Sequence, residues 1–290
     1  MGNAILTRHG RSASPLPPDA RASAACDRDD RRGRPHRRPP ALRIVTAAER
    51  PDLVEAMRRL GASPWPEFLN RDAVVEALWR YLYELAPAYQ FALLEEKSES
   101  LLAIGNCIPI RWDGDPHTLP DRGVDAVLED GVACLREGAT ATAASALMIV
   151  VSPERLGQGI SGWAIRAMAE VVGRHGLTEL VAPVRPTHKH RYPLIPIDHY
   201  ISWRREDGLP ADPWMRVHER VGGQMLRPAA AAMRVTGSVA EWERWTQMAM
   251  LESGRYVIPG ALVPVEIDRE RDLGCYQEPA CWMRHRVPGA

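Results

Sequence analysis

The sequence predicts an α/β (α+β) fold: a mixed, mostly antiparallel sheet flanked by helices, with a β-rich extension at the C-terminal end. Three observations carry this expectation. Residues 89–94 and 101–112 are apolar runs joined through the polar stretch 95–100, the pattern of an antiparallel hairpin. Residues 146–151 form a short, mostly branched apolar run of strand length that Pro153 stops. A glycine loop follows, and then Ile160, Trp163, Ile165, Met168, Val171 and Val172 recur at close to helical spacing. Beyond residue 210 the chain returns to short apolar segments separated by turn residues.

Taken in order, residues 1–40 hold nine arginines, four aspartates, many prolines and no lysine or glutamate. So little apolar surface does not offset the entropy of ordering, so a disordered Arg/Pro-rich leader is expected there. Asp27, Asp29 and Asp30 interrupt its basic run and no amphipathic helix can be drawn, which argues against a nucleic-acid arm and a transit peptide. Lysine plus arginine balance aspartate plus glutamate at 37 each, so the chain as a whole has no preference for polyanions. No apolar run approaches the roughly 18 residues of a membrane span, and the five cysteines form no C-x-x-C pair and suit reduced thiols. A cytoplasmic protein with neither nucleic-acid nor membrane partner is expected.

From residue 41 the pattern becomes globular. A strand is expected over 42–46, helices over 52–60 and 71–85 with a break at 63–66, the hairpin over 89–112, a loop at 113–123 and a helix over 124–136. After the glycine loop and its helix, a strand is expected at 180–184. Two further strands, 214–220 and 225–236, are expected around the turn Gly222-Gly223. The main domain is thus drawn over 41–237. A helix at 241–248 and strands over 256–267 and 275–286 make up an extension, 238–290, packed on the same domain. Its tryptophans suit an acceptor pocket, buried packing or the interface of a homodimer, so the protein is read as a monomer or homodimer.

Gly157, Gly159 and Gly162 stand at the junction of the strand at 146–151 and the helix that begins at Ile160. A helix N-terminus leaves backbone N–H groups unpaired, and its dipole adds positive potential, so this junction is an anion site suited to phosphate. The three glycines satisfy G-x-G-x-x-G. A dinucleotide-binding fold, however, sets its first glycine almost directly after the strand and ends the next strand in an acidic residue, whereas five residues intervene here and the next strand ends in Arg185. An NAD(P)-dependent oxidoreductase is therefore the minor reading.

The stretch resembles motif A of the GCN5-related N-acetyltransferases (GNAT), in which a strand runs into V-x-P and then [RQ]-x-x-G-x-[GA] opens a helix. Val151, Ser152 and Pro153 match the first part. Leu156, Gly157, Gln158, Gly159, Ile160 and Ser161 occupy the second, with Leu156 in place of arginine or glutamine and Ser161 in place of a small residue. The element order is similar to that of the family as well, so the resemblance implies a GNAT-like sheet. It also implies acetyl-CoA or another acyl-CoA as co-substrate, with its pyrophosphate on the backbone of Leu156 to Gly162. The strand that holds Ile149, Val150 and Val151 would splay from its parallel neighbour to grip the pantetheine arm. Members of the family continue with N-x-x-A-x-x-x-Y, whose tyrosine protonates the departing thiolate. Here Arg185 and His188 replace the asparagine and alanine, and Tyr192 falls on the tyrosine.

Transfer to an amine also needs a base, and Asp113, His188, Asp198 and His199 are polar loop residues of suitable chemistry. No metal is expected, since alternating His188 and His190 lack a second liganding pair. The resemblance thus implies an acyl-CoA-dependent N-acyltransferase acting on a small-molecule amine, most simply by acetyl transfer in a ternary complex. The alternative outside the enzymes is a non-catalytic acyl-CoA-binding module.

Overall fold

The computed structural model describes residues 41–62 and 65–287, so the leader expectation for residues 1–40 lies outside the described residues. Its elements run β1 (Leu42–Thr46), α1 (Val54–Ala62), α2 (Ala73–Leu78), α3 (Arg80–Leu85), β2 (Gln90–Glu95), β3 (Leu101–Ile110), α4 (Gly123–Glu137), β4 (Ala143–Val151) and α5 (Ile160–Gly173). They continue with β5 (Glu179–Val184), α6 (Ile197–Ser202), α7 (Pro213–Arg220), β6 (Gln224–Gly237), α8 (Val239–Thr246), β7 (Gly254–Tyr256), β8 (Val265–Asp268) and β9 (Leu273–Arg286). All strands join one sheet in the order β1-β2-β3-β4-β5-β9-β8-β7, with β6 paired to β9. Every pairing is antiparallel except β4 with β5. The expected mixed, mostly antiparallel sheet flanked by helices is what the chain forms.

Apolar side chains fill both faces of the sheet. On one, Ala164, Met168, Val171 and Val172 of α5 pack on Phe91, Leu93 and Leu180. On the other, Val127, Leu128 and Val132 of α4 pack on Ile108, Val181 and Trp282. A third cluster forms around Trp242, where Phe68 packs edge-on to Tyr276 with ring centroids 5.2 Å apart.

Two expectations change. Residues 214–220, read as a strand, are helix α7: Asp212 caps the N-terminus, accepting from Trp214 N at 3.0 Å and Met215 N at 3.2 Å, and Pro213 occupies the first turn, where its missing N–H is harmless. The sheet is completed instead by β9, which pairs with β5 from Glu179↔Arg286 to Val184↔Cys281 and with β6 on its other side. The segment read as one strand over 256–267 is the two short strands β7 and β8, parted by residues 257–264. Residues beyond 237 thus contribute a strand in the middle of the sheet.

Asp212 does more than cap α7. Its Oδ2 accepts from the Tyr200 hydroxyl at 2.9 Å and from His188 N at 2.8 Å, tying α6 and the loop after β5 to one carboxylate that is 2% exposed. Asp212→Ala removes the cap and leaves buried donors unpaired, so a loss of roughly 2–4 kcal/mol is expected in urea unfolding, against about 1 kcal/mol for a cap alone.

Candidate active site

The parallel pair β4 and β5 stays together for two residue pairs only, Ala144↔Leu180 and Ser145↔Val181, and then parts. At the same point Leu147 is an extra residue on β4: Ala146 pairs with Cys107 and Met148 with Asn106, so the β3 ladder skips it. From Ala146 onward β4 therefore presents backbone N–H and C=O groups on an edge that β5 does not take up. A cleft of about 510 Å3 opens here, lined by Ala146 to Ile149 on one side of the fork and Ala182 to Arg185 on the other.

Around the fork the walls come from distant parts of the chain. Helices α1 to α3 and the segments that join them supply Met57, Arg58, Trp65, Glu76, Trp79 and Tyr83, α7 supplies Trp214 and His218, and β9 supplies Glu278. Tyr83 is held by Asn106, which donates to its hydroxyl at 3.0 Å and to Gln90 Oε1 at 2.9 Å; burial raises the phenol, keeping it neutral. Arg185 Nε donates to Glu278 Oε1 at 2.5 Å, its Nη2 donates to Gly260 O at 2.6 Å, and the Tyr276 hydroxyl donates to Glu278 Oε2 at 2.6 Å. Both oxygens of this nearly buried carboxylate are thus engaged, and the guanidinium is fixed at the mouth of the fork.

At the end of β4 a 3-10 turn over Pro153–Arg155 leads to the glycine loop. Gly157 and Gly159 have φ of 74° and 76°, and a Cβ built on either would meet no heavy atom within 4 Å. Only glycine adopts this left-handed backbone freely, and the open space above it lets a ligand approach the main chain. Gly159 is the N-cap of α5 and no side chain caps this helix, so its first N–H groups remain available to an outside acceptor. An acyl-CoA fits these features: an uncapped helix N-terminus behind an open glycine cradle for the pyrophosphate, and an unzipped strand edge for an amide-bearing arm.

Of the residues singled out in the sequence, Ile149 lines the cleft, whereas Val150 packs into the core beside Ile104 and Met57. Val151 packs towards α5, and Leu156, Gly157, Gln158, Gly159, Ile160, Ser161 and Gly162 form the loop and first turn beyond it. Tyr192 ends a 3-10 turn, 45% exposed, with its ring edge-on to Trp203 at 5.0 Å, and it is not among the residues that line the cleft. Asp113, His188, Asp198 and His199 do not line it either. Asp113 accepts from Thr118 Oγ1 at 2.8 Å within its own loop. No group of three or more His, Cys, Asp or Glu among the described residues is arranged to hold a metal. Sequence reasoning does not single out Trp214 and His218, because their segment reads as a strand; the Asp212-Pro213 pair is the local signal for a helix start.

Beneath the wall formed by α2, α4 and β6 lies a pair of buried carboxyls. Asp72 caps α2 through Oδ1, accepting from Val74 N at 3.0 Å and Val75 N at 2.9 Å, while its Oδ2 and Asp125 Oδ2 both accept from Arg234 N, at 3.0 and 3.1 Å. Arg234 lies just beyond a bulge of β6, in which Ala229 is opposite Ala280 and Met233 opposite Glu278, leaving three residues facing Pro279. One amide shared by two buried acids suits one retained proton, and burial together with the Asp72 charge pushes Asp125 up to about 8.

No protein-family model matches the chain. The chain is 32% identical over 278 residues to arginine N-acetyltransferase avaD of Aspergillus versicolor, covering 86% of this chain and 95% of that protein. Among solved structures, the loading GNATL domain of CurA from Lyngbya majuscula is similar with a TM-score of 0.51 at 18% identity, over 85% of this chain and 96% of that one. The GphF GNAT-like decarboxylase in complex with isobutyryl-CoA gives a TM-score of 0.49 at 16% identity, over 85% and 100%.

The carboxyl pair has a consequence for stability. Asp125 binds its proton in the fold up to about pH 8 but, once unfolded, only up to its ordinary value of 3.8, so the folded state holds the extra proton between these limits. Stability from this group is complete below the lower limit and is lost as pH rises to about 8, by up to about 1.4 kcal/mol per pH unit. Asp125→Asn cannot titrate, so its unfolding free energy, measured by urea titration from pH 5 to 9, should fall less with pH than that of the parent.

Proposed function

This chain belongs to the GCN5-related N-acetyltransferase superfamily and is an acyl-CoA-dependent N-acyltransferase, and we propose that its acceptor is an arginine-type amine that enters the cleft from the side of α1 to α3. The fork between β4 and β5, opening into a cleft beside the glycine loop, is the observation that carries the reading of the site. Bound acyl-CoA supplies an activated acyl carbon and a thiolate leaving group. The backbone of Gly157 to Gly162 holds its pyrophosphate at the N-terminus of α5, and the free edge of β4 through Ile149, Val150 and Val151 orients its pantetheine arm. A preorganised backbone N–H near the Leu147 bulge is suited to the oxyanion that forms at the acyl carbon, a contribution on the order of a few kcal/mol.

Support for the acceptor comes from the walls and from the relative. Trp65, Trp79 and Trp214 supply aromatic rings of the kind on which a planar guanidinium stacks, and Glu76, Arg58 and Arg80 line the same cleft, so it carries both charges that suit a zwitterionic amino acid. The relative that spans most of the chain is an arginine N-acetyltransferase. The free thiols of Cys107, Cys134, Cys275 and Cys281 suit a reducing compartment such as the cytoplasm. No helix of the described residues is long and apolar enough to cross a membrane.

Thiol release from acetyl-CoA, followed with arginine, agmatine and an arylalkylamine offered in turn, tests the acceptor. Arginine-type amines should turn over with the higher kcat/KM, and a preference for the arylalkylamine would overturn the assignment. Gly159→Glu tests the donor site. The space around Gly159 lets the variant fold with a strained loop, while its carboxylate occupies and repels the pyrophosphate position. Coenzyme A affinity, measured by calorimetry, should fall by roughly 100-fold or more, from loss of the helix-terminus contacts and added charge repulsion.

A further inference from the structure

Any transfer of an acyl group from a thioester to an amine moves one proton from nitrogen to sulfur. We propose that His218 carries it. The inference rests on the acyltransferase reading and names the group that does the proton work in the same cleft.

Helix α7 lies where such a group is needed. Its Val217 and Val221 side abuts the glycine turn of α5: a methyl built on Gly162 would sit 3.4 Å from Val221 and 4.0 Å from Val217. Trp214 and His218, one turn apart, are the side chains that α7 gives to the cleft wall, and their rings meet edge to face at 4.4 Å. A donor that runs from the glycine loop into the fork therefore passes along this helix.

The two nitrogens of His218 are differently placed. Nδ1 lies 2.8 Å from Nε2 of His285, on the neighbouring strand β9, while Nε2 is buried and has no partner. His218 and His285 are 3% and 5% exposed. An unpartnered nitrogen costs stability in a site so dry, and a role in proton transfer accounts for it. Burial and the neighbouring His285 hold His218 well below the usual histidine range, and burial lowers His285 to about 4, so both rings are neutral at physiological pH. With Nδ1–H of His218 donating to His285, the Nε2 lone pair is free. Among the buried polar groups of the cleft wall, Glu278 has both oxygens engaged and arginines accept nothing, whereas Glu76 is exposed on α2.

The step balances. As the N–C bond forms, the proton of the acceptor nitrogen passes to Nε2 of His218. As the C–S bond breaks, its electron pair stays on sulfur and the same proton passes from Nε2 to that sulfur, so His218 ends neutral, as it began. An imidazolium formed in this apolar wall is a strong acid and gives up its proton readily. His285 is a positioning residue that fixes the tautomer.

Two measurements test this. In protein labelled with 15N-histidine, the His218 Nε2 resonance, assigned by its loss in His218→Gln, should shift when coenzyme A is added and stay in place with 3′,5′-adenosine diphosphate, which lacks the thiol arm. In steady-state turnover, His218→Gln should lose roughly 100-fold in kcat while the KM for the donor changes little, and His285→Gln should lose less. Coenzyme A binding that leaves the His218 resonance unmoved, or a folded His218→Gln that turns over like the parent, would overturn the proposal. Failure of the parent to bind coenzyme A at all would overturn the acyltransferase reading itself, and the proposal with it.

Discussion

Two parallel strands that would otherwise zip together are held apart, and the cleft exists because of it. Each is bound along its outer edge: β4 by β3, from Ala103↔Val151 to Ile110↔Ala143, and β5 by β9 over its whole length. With those ladders in place, neither strand can swing to close the fork without breaking an antiparallel pairing that is already satisfied. The Leu147 bulge adds local twist to β4 at the point of parting. Unpaired peptide groups in a protein interior are costly, so a fork with an open edge suits a ligand that brings its own amides.

Around this fork the walls are joined by buried polar groups, each satisfying several partners. Asp212 gathers α6, α7 and the loop after β5; Asp72 and Asp125 gather α2, α4 and the bulge of β6. Lys189 works in the same way with a positive charge: its Nζ donates to Tyr192 O and Leu262 O, both at 2.8 Å, and burial lowers the amine to about 8. The loop that follows β5 is thereby tied to the segment before β8. Clasps of this kind position the cleft walls with few atoms, because a buried polar group left without its partner costs more than the bond itself contributes.

Much of this was legible in the chain. The hairpin at 89–112, the helix at 124–136 and the strand, glycine loop and helix from 146 onward are local patterns: periodicity, turn residues and glycines that a few neighbouring positions encode. The left-handed turn at Gly157 and Gly159 needs only its own backbone to form an open loop ahead of α5, which is why it is visible without a fold. Residues 214–220 were harder, because Trp214, Met215 and Val217 suit a strand about as well as a helix, and the deciding Asp212 cap is a single residue.

What the sequence determined by itself, then, was the order of elements and the glycine turn, set by interactions between residues close in the chain. Tertiary structure alone decided the walls of the cleft and the pairing of its two buried histidines. Which strand lies beside β5 is a choice among long-range pairings, and β9, about a hundred residues downstream, takes that place. That pairing brings Glu278 to Arg185 and His285 to His218, contacts across 93 and 67 positions that no local pattern encodes, since they form only when the sheet closes around them.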